Sequence, residues 1–144
     1  MSIVCASVLF LLSEPDYLCL ARAIVNSIAF LHKSDNAESE LIYKRLVTCK
    51  DRRTHQTTMA ICLCEDVGVN LQFGGGLEHV RQFQDFLENY TITVWNGRTG
   101  RKVLFKGPAS TPAHPRKHID LLFEENHYAT IVNVEAAFGG CFFL

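Results

Sequence analysis

The hydrophobic period of this chain changes at Asn89, and that change constrains the fold more than any other feature. Ahead of it, apolar residues recur every three or four positions, as in helices that bury one face. Behind it they recur every second position, as in half-buried strands. Helices followed by strands imply an α+β fold, with a helical half packed on a small antiparallel sheet. At 144 residues, 48% of them apolar, the chain fills one core and is too short for two ordinary domains, so a single domain over 1–144 is expected.

In "EPDYLCLARAIVNSIAFLHK", residues Leu20, Ala21, Ile24, Val25, Ile28 and Leu31 share one stripe, while Arg22, Asn26 and His32 fall off it. Pro15 disfavours helix at Glu14, and Asp16 offers its carboxylate to first-turn amides. A second helix is expected from Ser39 to Thr48 with Leu41, Ile42, Leu46 and Val47 inward. After the polar run "KDRRTHQTT", a third covers Met59 to Asp66 and stops at Gly68. "FGGGLEHVRQFQDFLENY" reads as a glycine turn and a fourth helix with Leu77, Val80, Phe83 and Leu87 on one side.

The strands "TITVW", "KVLFKG", "HIDLLFE" and "HYATIVNV" follow, with tight turns at Asn96-Gly97 and Glu125-Asn126 and a surface connection at "PASTPAHP". The stretch "IVCASVLFLL" at 3–12 is too short to span a bilayer and reads as a buried first element. The final "AFGGCFFL" is expected to dock into the core or to mark a truncated coding region.

A net charge of −1 with both signs interspersed gives no field that would draw in nucleic acid or a membrane surface. Six cysteines in a chain with a core of this size do not make a disulfide frame, which points to a reducing compartment, cytoplasmic or nuclear.

Cys19 stands where the first helix begins. There the positive end of the peptide dipoles and the first-turn amides favour thiolate over thiol. Attack on a carbonyl also needs a base and amides to hold the oxyanion, and the loop over Asp16 to Cys19 supplies such amides. His127, which opens a strand after a tight turn, is the natural base. His32, His55, His79, His114 and His118 lie at helix surfaces, in a charged run or beside prolines. The competing reading of Cys19 is a small buried apolar residue.

Cys49, His55, Cys62 and Cys64 have metal-binding atoms, but Cys62 and Cys64 on one helix would point about 200° apart, and Cys-x-Cys is not the usual knuckle. No metal and no cofactor are expected. Gly74 to Gly76 lack the lysine of a phosphate-binding loop and read as a structural turn.

"DYLCLARAI" resembles the nucleophile motif of the ovarian-tumour (OTU) cysteine proteases, where Asp-x-x-Cys leads into a helix followed by Arg-Ala, here Arg22 and Ala23. "GGGLEHVRQFQDFLENYTITVW" resembles that family's Gly-Gly-x-x-Glu helix, with Gly75, Gly76 and Glu78, leading to an Ile-x-Val strand. "NHYATI" is similar to its closing Asn-His-Tyr strand. The match reaches from about 16 to 132. A narrower resemblance, through "CLARAIVNSIA", "FQDFLENYTITVW", "VLFKGP" and "LLFEENHYATI", is to the OTU-like segment attached to protein-primed family B DNA polymerases of Maverick/Polinton transposons and related viruses.

The resemblance implies an OTU/papain-like fold and a thiol (iso)peptidase, deubiquitinase-like in chemistry. Cys19 would be the nucleophile, His127 the general base and the Asp16 amide part of the oxyanion hole. The implied partners are a ubiquitin-like protein or polyprotein substrate and a polymerase domain. The sequence departs from the family at Ala129, where an Asn or Asp ordinarily orients the histidine. Asn126 and Asp120 are the candidates to replace it. The rival reading is a catalytically degenerate binding module accessory to a polymerase.

Overall fold

A computed structural model describes residues 17–71, 74–97 and 102–134. Among these residues the elements are four α-helices, a short π-helical turn and a four-stranded mixed sheet, an α+β architecture. They fall into two compact units, divided between Gly75 and Gly76. The apolar stretch at 3–12, the Asp16 cap and the final apolar run lie outside the described residues.

The first unit is helical. Helix α1 spans Cys19–His32 and packs on α2, Ala37–Tyr43, and on α3, Arg52–Val67. The α1 stripe read from the sequence is buried at Leu20, Ala21, Ile24 and Val25, and small residues widen it: Ala23, Ser27 and Ala29 are buried too. Ser27 donates to the Ala23 carbonyl at 2.8 Å, which removes the cost of burying its hydroxyl. Helix α2 begins two residues earlier than expected because Asn36 caps it, accepting from the Ser39 amide at 2.8 Å.

The expected continuation to Thr48 is a π-helical turn, Lys44–Thr48. Its wider winding breaks the 3.6-residue register, so only Leu46 of the four expected inward residues is buried; Leu41, Ile42 and Val47 are exposed. Leu46 joins Val25 and Ala29 in the core, with Tyr43 and Leu63 against them, and the Gln56 amide donates to the Leu46 carbonyl at 2.6 Å.

Helix α3 starts well before the expected Met59, since the polar run over Arg52 to Thr58 is its first two turns. Polar side chains concealed it. Thr57 is buried with its hydroxyl on the Arg53 carbonyl at 2.9 Å, and Thr58 does the same to Thr54 at 3.1 Å. The helix ends as expected at Gly68, whose φ of 83° suits glycine and whose amide donates to the Cys64 carbonyl at 2.8 Å.

The second unit opens with α4, Leu77–Phe86, followed by β1 Tyr90–Asn96, β2 Val103–Lys106, β3 Lys117–Glu124 and β4 His127–Ile131. The sheet order is β2-β1-β3-β4. The expected all-antiparallel sheet is corrected at its centre: β1 and β3 run parallel, flanked by antiparallel pairs. After β2 the chain does not fold straight back. Residues 107–116 pass the start of β1 and emerge on its other side, held by Gly107 N–H to the Ile92 carbonyl at 2.8 Å, Thr91 Oγ1 to the Pro108 carbonyl at 2.6 Å and Lys117 N–H to the Asn89 carbonyl at 2.9 Å.

The proline-bearing segment 108–115 is exposed throughout, as a surface connection should be. The turn expected at Asn96-Gly97 is longer than two residues. Asn96 is still in β1, its amide donates to the Lys102 carbonyl at 2.9 Å, and β2 begins only at Val103.

Helix α4 packs on β1 and β2 with Val80 and Phe83 fully buried, while Leu77 is exposed. Its most consequential side chain is polar. Gln84 is buried and, where β2 has ended, takes the place of a strand: its Nε2 donates to the Tyr90 carbonyl at 2.8 Å and its Oε1 accepts from the Ile92 amide at 2.7 Å. Gly107 faces this amide group, and a Cβ there would collide with Gln84 Oε1.

Candidate functional site

Cys19 is the first residue of α1, preceded by Leu18 at the cap position, where no side chain caps the helix. Its side chain is nearly enclosed, the residue being 8% exposed. Gly75 lies against the neighbouring Leu20: a Cβ at Gly75 would be 2.7 Å from Leu20 Cδ2. A side chain at 75 would therefore have to displace Leu20 in the first turn of α1. Asp16, the proposed oxyanion-hole residue, lies outside the described residues.

Gly76 has a different task as the cap of α4, with its amide donating to His79 Nδ1 at 2.9 Å. The Glu78 carboxylate lies 3.7 Å from the same nitrogen. Glu78 places its charge in the first turn of α4, where the helix dipole favours it.

In the sheet unit, His127 opens β4 directly after Glu125 and Asn126, whose φ values of 53° and 61° make the tight turn the sequence indicated. The imidazole is on an exposed residue. Register then fixes its neighbours: Glu124 is opposite His127, Leu122 opposite Ala129 and Asp120 opposite Ile131.

Ala129 therefore faces a leucine. Asp120 shares the face of His127 but lies four residues along the sheet from it, about 14 Å at a strand rise of ~3.4 Å, and its Oδ1 accepts from Trp95 Nε1 at 3.2 Å. Asn126 occupies the turn itself. Glu124, which the sequence reading passed over, is the carboxylate directly across from His127. The residues flanking a two-residue turn always pair, so the signal was present in the position of Glu125-Asn126.

The remaining thiols differ in setting. Cys64 is buried, and desolvation followed by the charge of Glu65 pushes its pKa up to about 11. Cys62 is exposed, on the wall of an apolar groove of about 340 Å³ in the helical unit. Val25, Ile28, Ile42 and Met59 line that groove, with His32 and Asp66 among its polar residues. His32 is engaged with Asp35 at 2.6 Å. Cys49 and His55 approach the same carboxylate, that of Asp51.

Among the described residues, no helix is long and apolar enough to cross a membrane. No family model matches the chain, and no curated protein or solved structure is significantly similar to it.

Proposed function

We propose that this chain is a thiol (iso)peptidase domain of the OTU type. The observation that carries the reading is the position of Cys19 as the first residue of a helix, on the sequence block "DYLCLARAI". In this reading Cys19 Sγ attacks the scissile carbonyl carbon while its proton passes to His127. The imidazolium returns that proton to the leaving amine as the C–N bond breaks, and water then hydrolyses the thioester.

Glu124, across the hairpin from His127, is the group placed to orient the ring that Ala129 leaves without a partner on its own strand. The substrate class is a ubiquitin-like tail or a polyprotein segment, and the domain's relation is to the polymerase-linked version of the family.

A second reading, a binding module descended from such an enzyme, is favoured by two observations. Ala129 pairs with Leu122 rather than offering a polar group, and Cys19 is only 8% exposed. Mass-mapped labelling with iodoacetamide and with a ubiquitin-derived electrophile separates the two. The enzyme reading expects Cys19 to outpace Cys62 below pH 7, to slow in His127→Ala and in Glu124→Gln, and to gain in Ala129→Asn. Labelling of Cys19 no faster than that of Cys62 sinks the enzyme and leaves the module.

A further inference from the structure

The entry to α3 brings three donors of different chemistry to one point. Cys49 follows the π-helical turn, Asp51 stands at the cap of α3 and His55 lies in its first turn. A β-turn, closed by the Arg52 amide on the Cys49 carbonyl at 3.2 Å, folds Cys49 back over Asp51. Asp51 and His55 are four residues apart and so share a helix face. Cys49 Sγ donates to Asp51 Oδ1 at 3.1 Å, and His55 Nε2 is 3.3 Å from Asp51 Oδ2. All three donor atoms lie within 4.8 Å of one another. An aspartate in this position ordinarily accepts a first-turn amide, yet Asp51 makes no such cap bond. Its carboxylate is turned to the thiol and the imidazole instead.

We propose that Cys49, Asp51 and His55 form a zinc-class metal site with three protein ligands and a fourth position open to solvent. A tetrahedral zinc ion with bonds of about 2.0–2.3 Å holds its ligand atoms about 3.3–3.6 Å apart; the thiol and the imidazole lie 3.1 and 3.3 Å from the two oxygens of the Asp51 carboxylate and all three donors lie within 4.8 Å of one another, so modest side-chain rotation would complete the set. A thiolate beside an imidazole and one carboxylate suits zinc, cobalt or nickel and does not suit calcium or magnesium, which take oxygen.

On binding, the metal–sulfur bond forms as the Cys49 proton leaves to solvent, and His55 gives up the Nε2 proton that faces Asp51 Oδ2 by exchange with solvent, keeping one on Nδ1 while the Nε2 lone pair goes to the metal. Thiolate and carboxylate then balance the charge of the dication. Asp51 is exposed and the other two half-buried, so the metal exchanges with solvent. It also ties the π-helical turn to α3. The set differs from the cysteine-rich one rejected on spacing, with Asp51 in place of Cys62 and Cys64.

The test is titration of the reduced full chain with Co²⁺ and with Zn²⁺, reading the thiolate-to-cobalt charge-transfer band. One equivalent is expected to bind. The band should vanish in Cys49→Ser and persist in Cys62→Ser. Affinity should fall in Asp51→Asn and His55→Gln by at least the roughly 10–100-fold that loss of a mere supporting group costs. As an independent readout, one equivalent of Zn²⁺ should protect Cys49 from alkylation in the wild-type chain and leave Cys62 reactive. A band that survives Cys49→Ser, affinity unchanged in the Asp51 and His55 variants, or no protection of Cys49 overturns the proposal.

Discussion

The helical unit and the sheet unit satisfy their backbones in opposite ways. In the first, polar groups at helix ends are mostly met from nearby: Asn36 caps α2 with a residue three positions on, and the Gly68 amide closes α3 on the Cys64 carbonyl, while Gln56 on the Leu46 carbonyl is the exception. In the second, the start of β1 relies on Gln84 from a preceding helix and on Thr91 and Arg116 reaching across the connection at 107–116. Local solutions are redundant and shallow, because water can replace them. A borrowed partner in a buried place has no substitute, so single changes in the sheet unit should cost more.

The sharpest way to break that contrast is Gln84→Leu, which keeps the volume near that of glutamine, leaves the Ile92 amide unpaired and leaves the Tyr90 carbonyl with Arg116 in place of two donors. At about 1–3 kcal/mol for the orphaned amide and about 1 kcal/mol for the lost bond to Tyr90, a loss of roughly 2–4 kcal/mol is expected in urea denaturation. A loss below that of a helix cap would erase the distinction. Gly107→Ala comes next: the new methyl must displace the Gln84 amide, for a cost of about 1–3 kcal/mol. It should be less than additive with Gln84→Leu, since both act on one contact. Asn36→Ala, in the helical unit, removes an exposed cap and should cost about 1 kcal/mol.

The smallest effect is one of pH. The Cys64 thiol has a folded pKa of about 11 against an ordinary 9.0. The folded state therefore holds its proton where the unfolded state has lost it. The associated stability is present below pH 9 and falls away as pH rises toward 11. Replacing Cys64 with alanine should flatten that part of the stability curve, and Cys64 should resist alkylation at pH 8 while Cys62 reacts.

The elements that follow from regular burial were legible in the sequence. The α1 stripe, the stop at Gly68, Val80 and Phe83 of α4, and the tight turn before His127 all rest on local rules that leave marks at fixed spacing. The start of α3 was hidden, because threonines bonding back to their own helix look like loop residues. The π-helical turn was hidden because one extra residue moves Leu41, Ile42 and Val47 off the buried face while leaving their pattern intact.

Parallel pairing of β1 with β3 was invisible for another reason. Alternation tells which residues face the core and says nothing about which neighbour a strand takes. At the candidate site, His127 and its turn were readable. Glu124 needed the register, and the meeting of Cys49, Asp51 and His55 needed the β-turn that no motif announces.

The parallel seam has a consequence in time. The β1–β2 and β3–β4 pairs are each local hairpins, while Tyr90 through Asn96 meet Lys117 through Phe123 only after the chain between them has been gathered. Closing that separation carries an entropic cost before any seam contact forms, so the sheet unit should acquire its hairpins early and its centre late. Stopped-flow measurements on Ile119→Val should show a change mostly in the unfolding rate. If the folding rate falls instead, the seam is part of the nucleus and the hairpins are assembled around it.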